Sequence, residues 1–98
     1  MHIITRRRLR EFWGNEKQSE SPLDEWYQKM KKLKIDNIAE LHKTFPQADL
    51  VGKCIVFNIG GNNYRLITKI NFISKIVYIR NVLTHREYNR GKWKADCR

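Results

Sequence analysis

This sequence of 98 residues has few acidic side chains, little cysteine and no long apolar run. Its two cysteines, Cys54 and Cys97, have no histidine or cysteine beside them at zinc spacing. We therefore predict reduced thiols, with neither a disulfide framework nor a metal site. No apolar run approaches the ~20 residues that span a bilayer, and residues 1–4 are too short for the apolar part of a signal peptide. We expect a cytoplasmic protein without a membrane partner.

The shortage of acidic residues leaves a strong positive charge: 20 Lys and Arg stand against 10 Asp and Glu, a net +10. Residues 1–49 carry ten basic and eight acidic side chains (+2), whereas residues 50–98 carry ten and two (+8). Such an excess attracts polyanions such as nucleic acid or an acidic protein. We expect the polyanion-binding surface in the second half of the chain.

The length fits a single domain over residues 1–98. With 41% hydrophobic and 11% aromatic residues, the chain has enough apolar material for a packed core. The basic stretch 90–98 is expected to be partly frayed.

Helical patterns fill the first half. Thr5 is a plausible N-cap for a helix with Leu9, Phe12 and Trp13 on one face, and Ser21-Pro22 indicates the start of a second helix after a polar loop at 15–21. A short third helix is predicted after Asp36. Arg6, Arg7 and Arg8 form either a solvated basic face or a phosphate or partner contact.

The pattern changes after a connector at 46–52. The apolar residues Ile55, Phe57 and Ile59 occupy alternate positions, and residues 60–62 have turn composition. Residues 64–72 and 76–82 are rich in β-branched and aromatic side chains. Three consecutive antiparallel strands are predicted, with a possible edge strand at 2–4. The expected fold class is α+β, with N-terminal helices packed on a small antiparallel sheet.

The hairpin register predicts which side chains share a face. A turn near Ile73-Ser74 places Ile70 opposite Val77 and Thr68 opposite Ile79, on the core face. Val82 and Ile67 then fall on the other face, together with the polar residues Asn58, Arg65, Lys69, Tyr78 and Arg80. This face has almost no compensating carboxylate, so it is either a phosphate-binding platform or the solvated side of a half-exposed sheet.

Several of these residues lie in motifs that resemble the HigB toxin family. The motifs are Phe57-Asn58-Ile59-Gly60-Gly61-Asn62, Tyr64-Arg65-Leu66, Tyr78-Ile79-Arg80 and Thr84-His85-Arg86-Glu87-Tyr88. The resemblance runs through nearly the whole chain to about Tyr88. It implies a RelE-like fold and the activity of an mRNA interferase, which cuts mRNA, often on the translating ribosome. It also implies a cognate HigA-type antitoxin with a helix-turn-helix domain.

In RNA cleavage without a metal or cofactor, the ribose 2′-OH attacks the adjacent phosphate. This reaction requires proton transfer and cations that stabilise the developing negative charge. The predicted catalytic residues are Arg65 and Arg80 as electrostatic stabilisers, His85 as general acid or base, and Tyr88 in stacking or proton transfer. The predicted RNA-binding residues are Asn58, Lys69 and Tyr78. Because carboxylates are scarce on this face, we predict no metal.

Two other hypotheses remain open. A non-catalytic module that binds RNA or the ribosome would need the same basic face without a complete acid-base pair. A gyrase-poisoning toxin on the same fold would damage DNA instead of transcripts, although His85 and Tyr88 argue modestly against it.

Overall fold

The computed structural model describes residues 1–98. The elements in chain order are β1 (His2–Ile4), α1 (Arg6–Asn15), a 3-10 helix (Lys17–Ser19), α2 (Glu20–Lys32), α3 (Ile38–Thr44), β2 (Asp49–Val51), β3 (Cys54–Ile59), β4 (Tyr64–Asn71), β5 (Ile76–Thr84), α4 (His85–Arg90) and a second 3-10 helix (Lys92–Cys97). None of the helices has the length and apolar character that crossing a membrane requires.

The three predicted helices are confirmed: α1 begins after Thr5 as predicted, whereas α2 and α3 begin differently. The stretch predicted as a polar loop at 15–21 instead forms the first 3-10 helix, which leads directly into α2 at Glu20. The cap of α3 is Asn37 and not Asp36, since the Asn37 side-chain oxygen accepts a hydrogen bond from the N–H of Glu40 at 2.9 Å. Asparagine at this position satisfies a backbone donor that the helix leaves free.

The helices pack on a five-stranded sheet with the strand order β1-β5-β4-β3-β2. The predicted antiparallel series β3-β4-β5 and the α+β class are confirmed. The sheet is mixed, however, because β1 pairs with β5 in parallel. The segment 46–52 is more than a connector, since its residues 49–51 form β2 against β3.

The predicted register holds near the turn and shifts farther along the hairpin. Ile70 pairs with Val77 and Thr68 with Ile79, as expected. A bulge at Arg80 then displaces β5 by one residue, so that Ile67 faces Asn81. The prediction for Val82 was therefore wrong. Val82 packs against the main core, whereas Leu83 packs against the smaller cluster on the opposite face of the sheet.

The main core lies between the helices and one face of the sheet. Leu9, Leu23 and Leu41 each belong to a different helix and are fully buried against sheet residues such as Leu66. Burying a side chain of this size contributes ~1.5–3 kcal/mol. The helical layer therefore covers this face, and functional side chains have to lie on the other face or at its ends.

A second, smaller cluster covers part of that other face, which we call the distal face. Its members are Cys54, Val56, Ile67, Trp93 and Cys97. Trp93 is 5% exposed and Cys97 is 2% exposed. The expectation of a frayed stretch at 90–98 was therefore wrong, because this segment folds back and buries its apolar side chains against the sheet.

The two cysteines are joined in a disulfide, with their Cα atoms 5.1 Å apart. The prediction of reduced thiols fails for this structure. Cys54 is on the distal face of β3, and the second 3-10 helix carries Cys97 over it. A sequence separation of 43 residues offers no local signal for this pairing.

The short helix α4 follows β5 directly, and a capping box defines its start. The Thr84 hydroxyl oxygen accepts a hydrogen bond from the backbone N–H of Glu87 at 3.2 Å, and the Glu87 carboxylate accepts one from the backbone N–H of Thr84 at 3.0 Å. The two bonds satisfy two backbone donors reciprocally. The next residue, His85, is thereby fixed as the first residue of α4.

Replacing Thr84 with alanine should lower the free energy of unfolding by about 1 kcal/mol, since the first turn of α4 loses its cap. Thr84→Ser keeps the hydroxyl and should stay within a few tenths of a kcal/mol of the wild type. Urea unfolding of the three proteins measures the difference. Equal losses in both variants would show that the hydroxyl does not matter.

Candidate functional site

All the predicted site residues lie on the distal face or on the helix that continues from it. Asn58 faces Arg65 across β3 and β4, and Lys69 faces Tyr78 across β4 and β5, as their predicted common face requires. Arg80 occupies the bulge. The residues form two groups, one at the β3-β4 hairpin and one farther along the sheet.

The hairpin group is built around Arg65, which is only 8% exposed. Its guanidinium lies 5.1 Å from the centroid of the Tyr88 ring. It donates hydrogen bonds to the carbonyl of Tyr64 at 3.1 Å and to the side-chain oxygen of Asn62 at 3.5 Å. The Tyr88 ring also stacks on Trp93, with centroids 4.9 Å apart and planes at 14°. Arg65 is thus held in a stack and is not an open surface cation.

His85 belongs to the same end of the sheet. Its backbone N–H donates to the carbonyl of Asn63 in the hairpin turn at 3.0 Å, and its imidazole is exposed, without a hydrogen bond or ion pair. Residues three apart on a helix are neighbours, so His85 and Tyr88 lie on adjacent parts of α4. An exposed imidazole therefore lies about one helical turn from the stacked tyrosine.

Asn58 completes this end of the distal face. It is exposed on β3, next to Arg65, and its amide donates to the side-chain oxygen of Gln47 at 3.4 Å. This long, exposed contact leaves the amide available to a ligand.

The second group contains Lys69, Tyr78 and Arg80, and a carboxylate lies among them. Asp96 accepts two hydrogen bonds from Arg80, at 2.8 Å from Nε and 2.9 Å from Nη2, and lies 3.7 Å from the Lys69 ammonium. Tyr78 is 38% exposed beside Lys69. The sequence predicted almost no compensating carboxylate on this face, and the structure adds one, since Asp96 contacts two of the predicted cations.

The ion pairs shift the pKa values of both main partners. Hydrogen bonds from Arg80 hold the pKa of Asp96 below its usual range, and the charges of Arg80 and Lys69 act in the same direction, while partial burial opposes them. The hydrogen bonds and charge of Asp96 in turn raise the pKa of Arg80. Asp96 is thus held as an anion.

The two groups are separate parts of the distal face. Arg65 and Lys69 are four residues apart on β4, a distance of about 13 Å at the usual rise of a strand. Between them lies Ile67, which is fully buried under the cluster that contains Trp93 and Cys97. The predicted continuous platform is therefore divided by the folded-back segment.

Sequence reasoning missed two residues of this region. One is Asp96, whose only sequence signal is that it is one of two acidic residues after position 49. The other is Arg8 of α1, for which the sequence left a solvated face or a phosphate or partner contact open and did not predict a position beside the sheet. It donates to the carbonyl of Arg80 at 2.9 Å and lines a cleft with Phe12 and Asn81. One member of the arginine run thus contacts the edge of the site.

The chemistry available at this face is that of cations, one imidazole and aromatic rings. Arginine forks and lysine bind phosphate oxygens, and tyrosine rings stack on unpaired bases. No three His, Cys, Asp or Glu side chains come together in a way that could hold a metal ion.

The family model and the curated relatives that match this chain carry the same family name. The sequence model described as HigB_toxin, RelE-like toxic component of a toxin-antitoxin system, matches residues 19–91. The mRNA interferase toxin HigB of Escherichia coli K12 is 33% identical over 92 residues, which cover 91% of this chain and 88% of that protein. The mRNA interferase HigB of Escherichia coli O6:H1 is 29% identical over 93 residues, covering 92% and 90%.

The lowered pKa of Asp96 predicts a pH dependence of stability. The contribution of its ion pair should be complete above the ordinary carboxyl pKa of ~3.9, and should be lost as the pH falls through the lower folded-state value. The stability difference between the wild type and Asp96→Asn should therefore narrow in acid. Urea unfolding at neutral and acidic pH measures it. Asp49→Asn, at an exposed residue without an ion pair, is the control, and an unchanged gap for Asp96→Asn would contradict the prediction.

Proposed function

This chain belongs to the HigB toxin family, the RelE-like toxic components of toxin-antitoxin systems, and from this premise we propose that it is an endoribonuclease that cleaves mRNA. The relatives named mRNA interferase, which match about nine-tenths of the chain, support this activity. The main structural support is the exposed imidazole of His85 beside the Arg65-Tyr88 stack. The arrangement combines a proton-transfer group, a cation and a base-stacking ring.

In the proposed reaction, the ribose 2′-OH attacks the adjacent phosphate and the 5′-oxygen leaves. His85 transfers a proton in this step, because an exposed imidazole can both accept and give up a proton. Arg65 stabilises the charge on the phosphate with the N–H groups that Tyr64 and Asn62 leave free. Tyr88 holds the guanidinium in place, and a base stacks on its ring at the position that Trp93 occupies in this structure.

The second group binds the RNA strand away from the reacting phosphate. Arg80, which the sequence placed with the catalytic residues, lies with Lys69 at this separate position, so we assign both to phosphate binding. Tyr78 stacks on a neighbouring base, and Asn58 binds the strand beside Arg65. A single strand that reaches both groups crosses the folded-back segment 92–97, which lies between them.

The proposed partners follow from this function. The substrate is mRNA, bound during translation on the ribosome, and the chain therefore acts in the cytoplasm. Membership of a toxin-antitoxin family implies a cognate antitoxin, and we propose that it is a HigA-type protein with a helix-turn-helix domain.

His85→Gln should reduce mRNA cleavage by about 10²- to 10⁴-fold, since general acid-base catalysis has this magnitude. His2→Gln is the matched control, because His2 is also exposed but pairs with Ile76 at the start of β5, whereas His85 follows the end of that strand. Each protein is induced briefly, and new transcript 5′ ends are mapped.

Equal cutting by both variants would remove His85 from the mechanism. Inhibited translation with intact transcripts would favour a non-catalytic RNA-binding protein. A DNA-damage response without new transcript ends would favour the gyrase-poisoning alternative.

Arg65→Ala should lower the cleavage rate of the purified protein by about 10²- to 10³-fold, as expected for the loss of a donor to the developing charge. Arg65→Lys keeps the charge but not the planar fork, so it should recover only part of the rate. Arg10→Ala, which removes an exposed arginine of α1, should cleave normally. Because Arg65 is buried, urea unfolding of each variant is measured alongside. Full activity of a folded Arg65→Ala protein would exclude the role.

A further inference from the structure

The second 3-10 helix, Lys92–Cys97, lies between the two groups of the site and has three anchors on the distal face. Trp93 stacks on Tyr88, and its indole N–H donates to the Tyr88 carbonyl at 2.9 Å. Asp96 pairs with Arg80, and Cys97 is bonded to β3. The segment therefore contacts both groups at once.

The anchors have the same chemistry as a nucleotide of the proposed substrate. Trp93 presents an aromatic ring to Tyr88, where a base of single-stranded RNA would stack. Three residues later, Asp96 presents two anionic oxygens to the fork of Arg80 and one of them to Lys69, as a phosphate would. RNA and this segment therefore compete for the same partners.

The turn between β2 and β3 is shaped to receive the end of this segment. The backbone N–H of Lys53 donates to the carbonyl of Cys97 at 2.6 Å. Gly52, at φ +57°, lies so close that an added Cβ would overlap the same carbonyl oxygen. Only glycine allows this approach. The docked position is thus a feature of the fold.

We propose that Arg80 and Lys69 form a phosphodiester-binding site that the segment 92–97 occupies in the oxidised protein, with the Cys54–Cys97 disulfide as its latch. The inference rests on the proposed function, from which it takes RNA as the ligand. The Arg80 and Asp96 side chains are 43% and 31% exposed, and ion pairs with this exposure are weak by themselves. The disulfide makes the Asp96 carboxylate an effective competitor, because the cross-link keeps the local concentration of this carboxylate near Arg80 high.

A dithiol reductant opens the latch. One thiolate of the reductant attacks a sulfur of the disulfide and forms a mixed disulfide, while the other cysteine leaves as a thiolate and takes a proton. The second thiol of the reductant then displaces the remaining cysteine, which is also protonated. The protein gains two electrons and two protons, and the reductant becomes a disulfide. Disulfides in cytosolic proteins are usually transient or redox-sensing, in agreement with such a use.

The test measures binding of a short single-stranded RNA that carries 2′-O-methyl groups throughout and so cannot be cut by 2′-OH attack. Fluorescence anisotropy gives its Kd for the oxidised full chain, for the same protein with dithiothreitol, and for Asp96→Asn, which keeps the disulfide. Asp49→Asn is the control, since it changes the net charge equally on the far edge strand β2.

Reduction and Asp96→Asn should each tighten binding about tenfold, whereas Asp49→Asn should change it less than twofold. With two cations released, the plot of log Kd against log salt should become steeper by about 1.4 for a single strand. Cys97→Ser should bind like the reduced wild type and should not respond to dithiothreitol.

Equal Kd values for the oxidised, reduced and Asp96→Asn proteins would overturn the latch. Weaker RNA binding by Asp96→Asn than by the oxidised wild type would also overturn it, because that result would mean that Asp96 positions Arg80 for RNA. Cleavage of unmodified RNA separates this failure from that of the proposed function. Equal cleavage in both redox states rejects the latch and keeps the nuclease, whereas redox-dependent binding without cleavage in any state rejects the nuclease and keeps the latch.

Discussion

The pairing of β4 with β3 and β5 is the constraint on which the remaining structure depends. It places Leu66, Thr68 and Ile70 under the helices and leaves Arg65 and Lys69 on the distal face. A slip of one residue would exchange the two sets. The bulge at Arg80 changes the alternation of β5 at one point only, so that Val82 joins the core. One register therefore determines both the core and the site.

The features that were predictable from the sequence have local causes. Helical spacing identified α1 to α3, and the short turn after β4 fixed the pairing of Ile70 with Val77. The missed features depend on distant residues. Only three residues of β2 pair with β3, β1 pairs with a strand more than seventy residues away, and nothing local marks the bulge. Tertiary packing overrides local patterns at such places.

The candidate site shows the same division between local and distant causes. The alternation of β4 placed Arg65 and Lys69 on the correct face, and the capping residues of α4 placed His85 after β5. The sequence could not show that Trp93 and Asp96 fold back onto this face. A basic stretch with one aromatic and one acidic residue is typical of a solvated end, and only the complementary surface of the sheet makes it fold.

The fold-back segment also separates two effects of charge that the composition combines. The net +10 attracts a polyanion over distances that one carboxylate does not alter. Contact with Arg80 and Lys69, by contrast, is decided at hydrogen-bond distance, where Asp96 is already bound. Attraction and contact are thus controlled by different residues. In the proposed arrangement the net charge collects RNA at the surface while Arg80 stays paired with Asp96. A change at Asp96 alters the net charge by only one, so it acts on contact far more than on the long-range attraction.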